Sequence, residues 1–308
     1  MTYETLIVGA GTEYPLNGLL TLPEDRSGPA PAVVMVHGSG PSDMDERIMK
    51  LTPFRDLAEG LAKRGVASLR YDKRTFAHGR KMAKAKGTMT VREETVDDAI
   101  LAVELLKRDP RIDRDRIFLL GHSMGAMLAP RIDAEGADVR GLILLAGTPY
   151  RLEEVMLRQM KQAAGSRSAL KWIGALEYKI FAKKFAGLYE MSAEEAKKKK
   201  LAGTMPLYYF QEMGRKTAAD YLLESAKPVL ILQGGKDFQV LAEDDFRRFR
   251  ELLAHRENTR YRLYPELDHA FVSALYDDIL KASKEYSAER HIGEDVIGDI
   301  AAFVLENK

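Results

Sequence analysis

The chain has 308 residues, 45% of them hydrophobic, enough to bury one large α/β core with an insertion or two small domains. Its 47 basic and 46 acidic residues leave a formal charge of +1, so no global field favours nucleic acid or an anionic membrane. Zero cysteines exclude disulfides, thiolate metal sites and a cysteine nucleophile, no run approaches the ~20 apolar residues of a membrane span, and Met1 to Thr5 lack the basic-then-apolar pattern, so no signal peptide is expected.

Residues 3–9 and 16–22 are expected to form two short strands, with Asn17-Gly18 at a turn and Pro23 ending the second. Pro31 to Val36 is a continuous apolar run, the pattern of a strand covered on both faces, and it ends in His37-Gly38-Ser39-Gly40-Pro41. Glycines just past the carboxyl end of such a strand let the backbone turn back and expose an N–H, here that of Ser39. Phe54, Leu57, Ala58 and Leu61 recur at helical spacing across residues 52–64, and Gly65 stands where that helix should end. Val66 to Asp72 reads as the next strand, and Lys73 to Gly79 as a basic loop that either edges the site or, as is commoner for such charge clusters, is solvated. Thr90-Val91-Arg92-Glu93 is a capping box, opening a helix whose apolar face is Val96, Ile100, Val103 and Leu106.

Ile117-Phe118-Leu119-Leu120 is a second buried strand, and it stops at Gly121-His122-Ser123-Met124-Gly125 before helix-forming residues. A serine on a tight strand-to-helix turn has its Oγ pushed clear of the sheet, provided the two flanking positions carry no bulk. Gly121 and Gly125 satisfy that condition. The turn also brings a helix N-terminus under the serine, so the Met124 N–H points where a negative oxygen would form. Gly141 to Gly147 is another two-sided buried strand. Strands alternating with helices imply a parallel sheet joined by crossovers.

The alternation breaks after Thr148. Up to Lys227 only helical patterns are found, from Arg151 to about Ala164, over 168–186, from Ser192 into Lys197 to Lys200, and over 206–224. The segment is rich in Met, Tyr and Phe, so it is expected to hold a small core of its own and to present some apolar side chains to the serine as a lid. Pro228 to Gln233 resumes the buried-strand pattern and ends in Gly234-Gly235-Lys236-Asp237, which puts Asp237 on the sheet edge shared by Ser39 and Ser123. A helix bearing Phe246, Phe249, Leu252 and Leu253 follows, then a strand over Thr259 to Tyr264, the loop Asp268-His269, and a last helix from about Glu294 to Leu305.

A serine hydroxyl needs a base within hydrogen-bond reach and a third group to hold that base in the useful tautomer. Among six histidines, His37 and His122 stand beside turn glycines, His78 lies on the basic loop, His255 ends a surface helix and His291 precedes the last helix. Only His269 follows the final strand on the convergent edge. Asp237 is preferred as the acid to Asp244 and Asp245, which read as first-turn helix residues, and to Asp268, which should point away from its neighbour. The order Ser123, Asp237, His269 matches the nucleophile-elbow arrangement.

On these motifs, together with Arg70-Tyr71-Asp72-Lys73-Arg74, the sequence resembles an α/β-hydrolase, and within that superfamily it is similar to bacterial serine esterases related to the dienelactone hydrolase and prolyl oligopeptidase catalytic domains. The resemblance implies a mostly parallel, twisted, eight-stranded sheet flanked by helices, with a helical cap inserted after the sixth strand. The core would be 1–147 and 228–308, and the cap 148–227. It implies Ser123 as nucleophile, His269 as base then acid, Asp237 as its orienting carboxylate, and the Ser39 and Met124 N–H groups as oxyanion hole. The expected activity is cleavage of small to medium acyl esters, without a cofactor or metal, in a cytoplasmic protein that binds no nucleic acid and could assemble as a homo-oligomer. A thioesterase or small peptidase using the same triad, or a silent binding protein on this scaffold, are the alternatives.

Overall fold

The computed structural model describes residues 1–24, 28–84, 89–165, 171–276 and 278–308. Its centre is one eight-stranded sheet. In chain order the elements begin with β1 (Thr2–Val8), β2 (Leu16–Leu22), β3 (Ala30–Val36), α1 (Pro53–Ala62), β4 (Ala67–Tyr71) and α2 (Arg74–Lys84). A π-helical turn, Arg92–Val96, then leads into α3 (Asp97–Lys107), followed by β5 (Ile112–His122), α4 (Met124–Ile132) and β6 (Gly141–Leu145). The insertion that follows contains α5 (Leu152–Gly165), α6 (Lys171–Phe185), α7 (Ala193–Lys198), a hairpin of β7 (Lys200–Leu201) and β8 (Met205–Pro206), α8 (Leu207–Met213) and α9 (Ala218–Glu224). The chain returns to the sheet with β9 (Val229–Gly234), α10 (Arg247–Leu252), β10 (Thr259–Tyr264), the short α11 (Ala282–Glu285) and α12 (Glu294–Glu306).

The sheet order is β1-β2-β4-β3-β5-β6-β9-β10. β2 pairs antiparallel with both β1 and β4, and every later pairing is parallel. The central strands are buried along their whole length, which is why they read as unbroken apolar runs. Their two faces feed two cores. Val33, Met35, Phe118 and Leu120 pack with Phe54, Leu57 and Leu61 of α1 and Val296, Ile300 and Phe303 of α12. Val34, Val36 and Leu119 meet the other face, against α3, α4, Phe246 and Phe249. From β3 the chain runs to β4 on one side and returns as β5 on the other. Between β3 and β5, neighbours in the sheet, the following connections run to opposite sides, and an open α/β sheet offers its crevice at such a point.

Several expectations change. Asn17 and Gly18 lie inside β2, paired with Ile7 and Leu6, because the reversal is made earlier, around the positive-φ Gly9 and Gly11. The strand before Ser123 begins at Ile112 rather than 117. Residues 74–84 are a helix, and the charged run 70–74 is buried: Arg70 lies 2.9 Å from Asp45, and Arg74 makes a two-pronged pair with Asp98 at 2.9 and 2.5 Å. In the insertion, the pattern over 206–224 breaks at Gly214 into α8 and α9, and the Lys197 to Lys200 run passes from α7 into a two-stranded hairpin. Residues 168–170, where one helix was expected to start, lie outside the described residues.

Candidate active site

Ser123 sits between β5 and α4 with φ +53° and ψ −117°, a conformation that side chains adopt only where their surroundings enforce it. Those surroundings are backbone. A methyl at Gly121 would come 2.2 Å from the Gly125 carbonyl oxygen, and one at Gly125 would come 2.1 Å from that of Val36. The Ser123 N–H is bonded to Leu145 O at 2.8 Å, which ties the turn to the neighbouring strand β6. Met124 opens α4, so its N–H has no acceptor one turn back within the helix.

Asp237 follows β9 and His269 follows β10, and the structure brings them together: His269 Nδ1 lies 2.7 Å from Asp237 Oδ2. The Asp237 carboxylate is buried and also accepts from the Gln239 N–H at 2.7 Å, the Val240 N–H at 2.9 Å and Gln233 Nε2 at 3.0 Å. Four donors on two oxygens hold it in one orientation. Asp268 turns away from His269, as expected, and accepts the N–H groups of Ala270 and Val272 at 2.9 and 3.2 Å, curling the loop that presents the imidazole. Burial, reinforced by the neighbouring Glu285, pushes the Asp268 carboxyl above the usual carboxylate range.

The loop after β3 is held from several sides. The Gly38 N–H donates to Glu46 Oε1 at 2.7 Å, and the Gly38 carbonyl accepts from Lys73 Nζ at 2.8 Å. A methyl on Gly38 would come 3.2 Å from Ser123 Cβ, so this loop lies directly against the serine. Glu46 Oε2 stands 3.0 Å from His122 Nδ1, and His122 Nε2 donates to the His269 carbonyl at 2.9 Å. Burial opposes protonation of His122, yet the adjacent Glu46 outweighs it and pushes the imidazole up to about 8. His37, equally buried, is pushed down to about 4 by that burial, and its Nε2 lies 3.0 Å from the Asp43 carbonyl oxygen. Glu46, Lys73, Gln233 and His122 are thus members of the site that spacing alone did not single out. One signal could have found Lys73: it directly follows the carboxyl end of a buried strand, on the edge where the other parts converge.

Ser39, Ser123 and Met124 line a cavity of about 570 Å³. Its far walls come from the insertion and include Val155, Met156, Phe181, Met205 and Phe210. Among the described lining residues Glu94 is the one carboxylate, and none is Lys or Arg. A second, smaller cavity joins Ser123 to His269, His122 and Tyr286. Asp245 lies in the first helical turn after Leu241, as expected, and in addition fastens the insertion to the core. It is fully buried and accepts from Thr148 Oγ1 at 2.5 Å, Arg158 Nη2 at 2.6 Å and the Leu241 N–H at 2.7 Å.

Comparison with known proteins agrees with this architecture. The profile of a family described as serine aminopeptidase, S33 (Hydrolase_4) matches residues 28–273. Esterase EstD of Thermotoga maritima is 35% identical over 294 residues, 94% of this chain, and the chain spans 66% of that relative's length. Est1E from Butyrivibrio proteoclasticus superposes with a TM-score of 0.60 at 16% identity, covering 98% of both chains. A Pyrococcus furiosus esterase gives 0.61 at 20% identity, covering 99% of this chain and 91% of the other. At such identities the structural likeness speaks for the fold alone.

Proposed function

This chain belongs to the serine aminopeptidase, S33 (Hydrolase_4) family and has the α/β-hydrolase fold, and from that premise we propose that it is a serine carboxylesterase acting on small to medium acyl esters. The observation that carries the reading is the 2.7 Å contact between His269 Nδ1 and Asp237, made beside the cavity onto which the strained Ser123 opens. With its Nδ1 proton donated to a fixed carboxylate, the imidazole offers Nε2 as a base. Ser123 Oγ adds to the ester carbonyl and its proton passes to His269. The carbonyl electron pair moves onto oxygen, where the Ser39 and Met124 N–H groups receive it. Collapse expels the alcohol with the proton from His269, and a water deprotonated by the same imidazole releases the acid.

Residues 1–147 and 228–308 form the catalytic core in this reading, and 148–227 the cap whose apolar side chains receive the acyl group. The family takes its description from a peptidase, but the cavity favours an ester. An aminopeptidase site needs a carboxylate for the substrate ammonium, and both oxygens of Glu94 are occupied, Oε1 by Lys73 at 2.7 Å and Oε2 by the Tyr209 hydroxyl at 2.7 Å. A coenzyme A thioester would call for free cations at the site; the described lining of the larger cavity has none, and Arg47, on the smaller one, is paired with Asp43 and Asp45.

A chain-length series of p-nitrophenyl esters, tested beside aminoacyl amides and acyl thioesters, checks the substrate class, with turnover of the esters expected. A fluorophosphonate probe is expected to label Ser123, and Ser123→Ala should lower kcat by ~10⁴ or more while leaving the fold intact. Retained turnover in that variant removes the assignment, and preferential cleavage of the amides replaces the esterase reading with a peptidase one.

A further inference from the structure

Lys73 is a lysine with 2% of its surface exposed, and burying an ammonium is costly unless fixed partners compensate. Two of its contacts are Glu94 Oε1 at 2.7 Å and the Gly38 carbonyl oxygen at 2.8 Å. The second has a geometric consequence. In a trans peptide the C=O and the following N–H point in opposite directions, so fixing the Gly38 oxygen toward Lys73 turns the Ser39 N–H away from it. Ser39 lines the cavity with Ser123, while Lys73 stands behind the loop and outside that lining. The preceding peptide is held as well, through the Gly38 N–H on Glu46.

The support behind Lys73 comes from the insertion. Glu94 Oε2 accepts the hydroxyl of Tyr209, a buried residue of α8. Burial and the neighbouring carboxylate raise that phenol well above the usual tyrosine range, so it stays an O–H donor. A continuous path therefore runs from α8 through Tyr209, Glu94 and Lys73 to the peptide whose N–H faces the cavity.

We propose that Lys73 is a positioning residue that holds the Ser39 N–H in its oxyanion-receiving orientation, and that the Tyr209 to Glu94 hydrogen bond makes this orientation depend on the seating of the insertion. The proposal rests on the serine-hydrolase reading above. An ammonium is suited to the task because its three donors can hold a carboxylate and a carbonyl at once.

The test compares wild type with Lys73→Met, similar in length but without donors, using a p-nitrophenyl ester and an alkyl trifluoromethyl ketone. Ser123 Oγ adds to the ketone carbon, the π pair moves to oxygen and the serine proton passes to His269, so the adduct reports oxyanion stabilisation. The expected result is a kcat lower by about 10²–10³, the scale of one lost oxyanion donor, with KM within about twofold and ketone affinity reduced by a similar factor. A rise in KM alone, or kcat and ketone affinity both within about twofold of wild type, overturns the proposal. Should Lys73→Met fail to fold, Tyr209→Phe removes the hydroxyl's bond to Glu94 together with its weak 3.6 Å contact to Met124 Sδ, and Glu94→Gln, which keeps the tyrosine, separates the two. Tyr209→Phe is expected to lower kcat and ketone affinity together by about tenfold, and no change in either overturns the proposal. A wild-type chain that neither cleaves the ester nor binds the ketone overturns the serine-hydrolase reading and this proposal with it. Wild-type turnover beside an unaffected variant overturns this proposal alone.

Discussion

Two glycine-bearing strand ends meet at this site, and they are held by different physics. The turn around Ser123 is enforced by backbone contacts: its two glycines pass within a methyl's width of carbonyl oxygens, and the serine takes a positive φ because nothing else fits. The loop around Ser39 has no such steric lock. Its peptides are oriented by Glu46 and Lys73, side chains 8 and 35 residues from the glycine they grip. The first arrangement is set by close contact of backbone with backbone, whereas the second depends on buried charges that must find one another, and it should respond to pH and to the insertion.

The largest expected effect comes from breaking the steric lock. Gly125→Ala places a methyl 2.1 Å from the Val36 oxygen, an overlap with backbone that no rotamer relieves. The variant is expected to lose its cooperative thermal transition, which circular dichroism would record. A well-folded Gly125→Ala protein would show that the turn is less constrained than its contacts imply.

Next in size is Asp237→Asn. An amide offers the His269 Nδ1 proton a poorer acceptor and favours the opposite tautomer, so kcat is expected to fall by about 10⁴ with the melting temperature close to wild type. An intact fold with unchanged turnover would exclude Asp237 from the orienting role.

The loop side makes a smaller, pH-dependent contribution. His122 rises from 6.5 to about 8 in the folded chain, so its contribution is fully present below pH 6.5 and disappears as pH climbs through 8. The shift corresponds to stability on the order of 2 kcal/mol. Wild-type melting temperature is therefore expected to decline between pH 6.5 and 8.5, and Glu46→Gln, which removes the paired charge, should flatten that decline. Equal slopes for the two proteins would contradict the pairing.

The smallest effect sharpens the same contrast. Ser123→Gly releases the positive φ at the turn and should raise stability by about 1 kcal/mol while abolishing turnover, since glycine occupies that region without a Cβ penalty. Chemical denaturation measures it, and a loss of stability would mean that the serine side chain contributes more than its backbone costs.

What could be read from sequence follows the same division. Gly121 and Gly125 flanking Ser123 between an apolar run and a helix announce their turn, because the residues that satisfy the steric requirement stand within five positions, even though one of the contacts is with Val36 of β3. Asp237 and His269 were legible from position, each standing just past the carboxyl end of a strand on one sheet edge. For Lys73 and Arg74 the sequence leaves two readings open, edging the site or solvated, and favours the second, since charge in a loop is normally exposed and their partners Glu94 and Asp98 lie about 20 residues away. Asp245 reads as a helix-start residue and is one, but its second role lies outside that local pattern. Its partners Thr148 and Arg158 belong to a segment whose packing against the core no local pattern discloses.

The sequence by itself determined the sheet, the glycine-flanked serine turn and the edge to which Ser123, Asp237 and His269 are carried, because apolar periodicity and the glycine pattern are written over a few neighbouring residues. Only the tertiary structure decided which charges are buried in pairs, which way the Gly38–Ser39 peptide faces and how α8 of the insertion reaches it through Tyr209. Compensating a buried ion requires a partner in space, and a partner in space can come from anywhere along the chain.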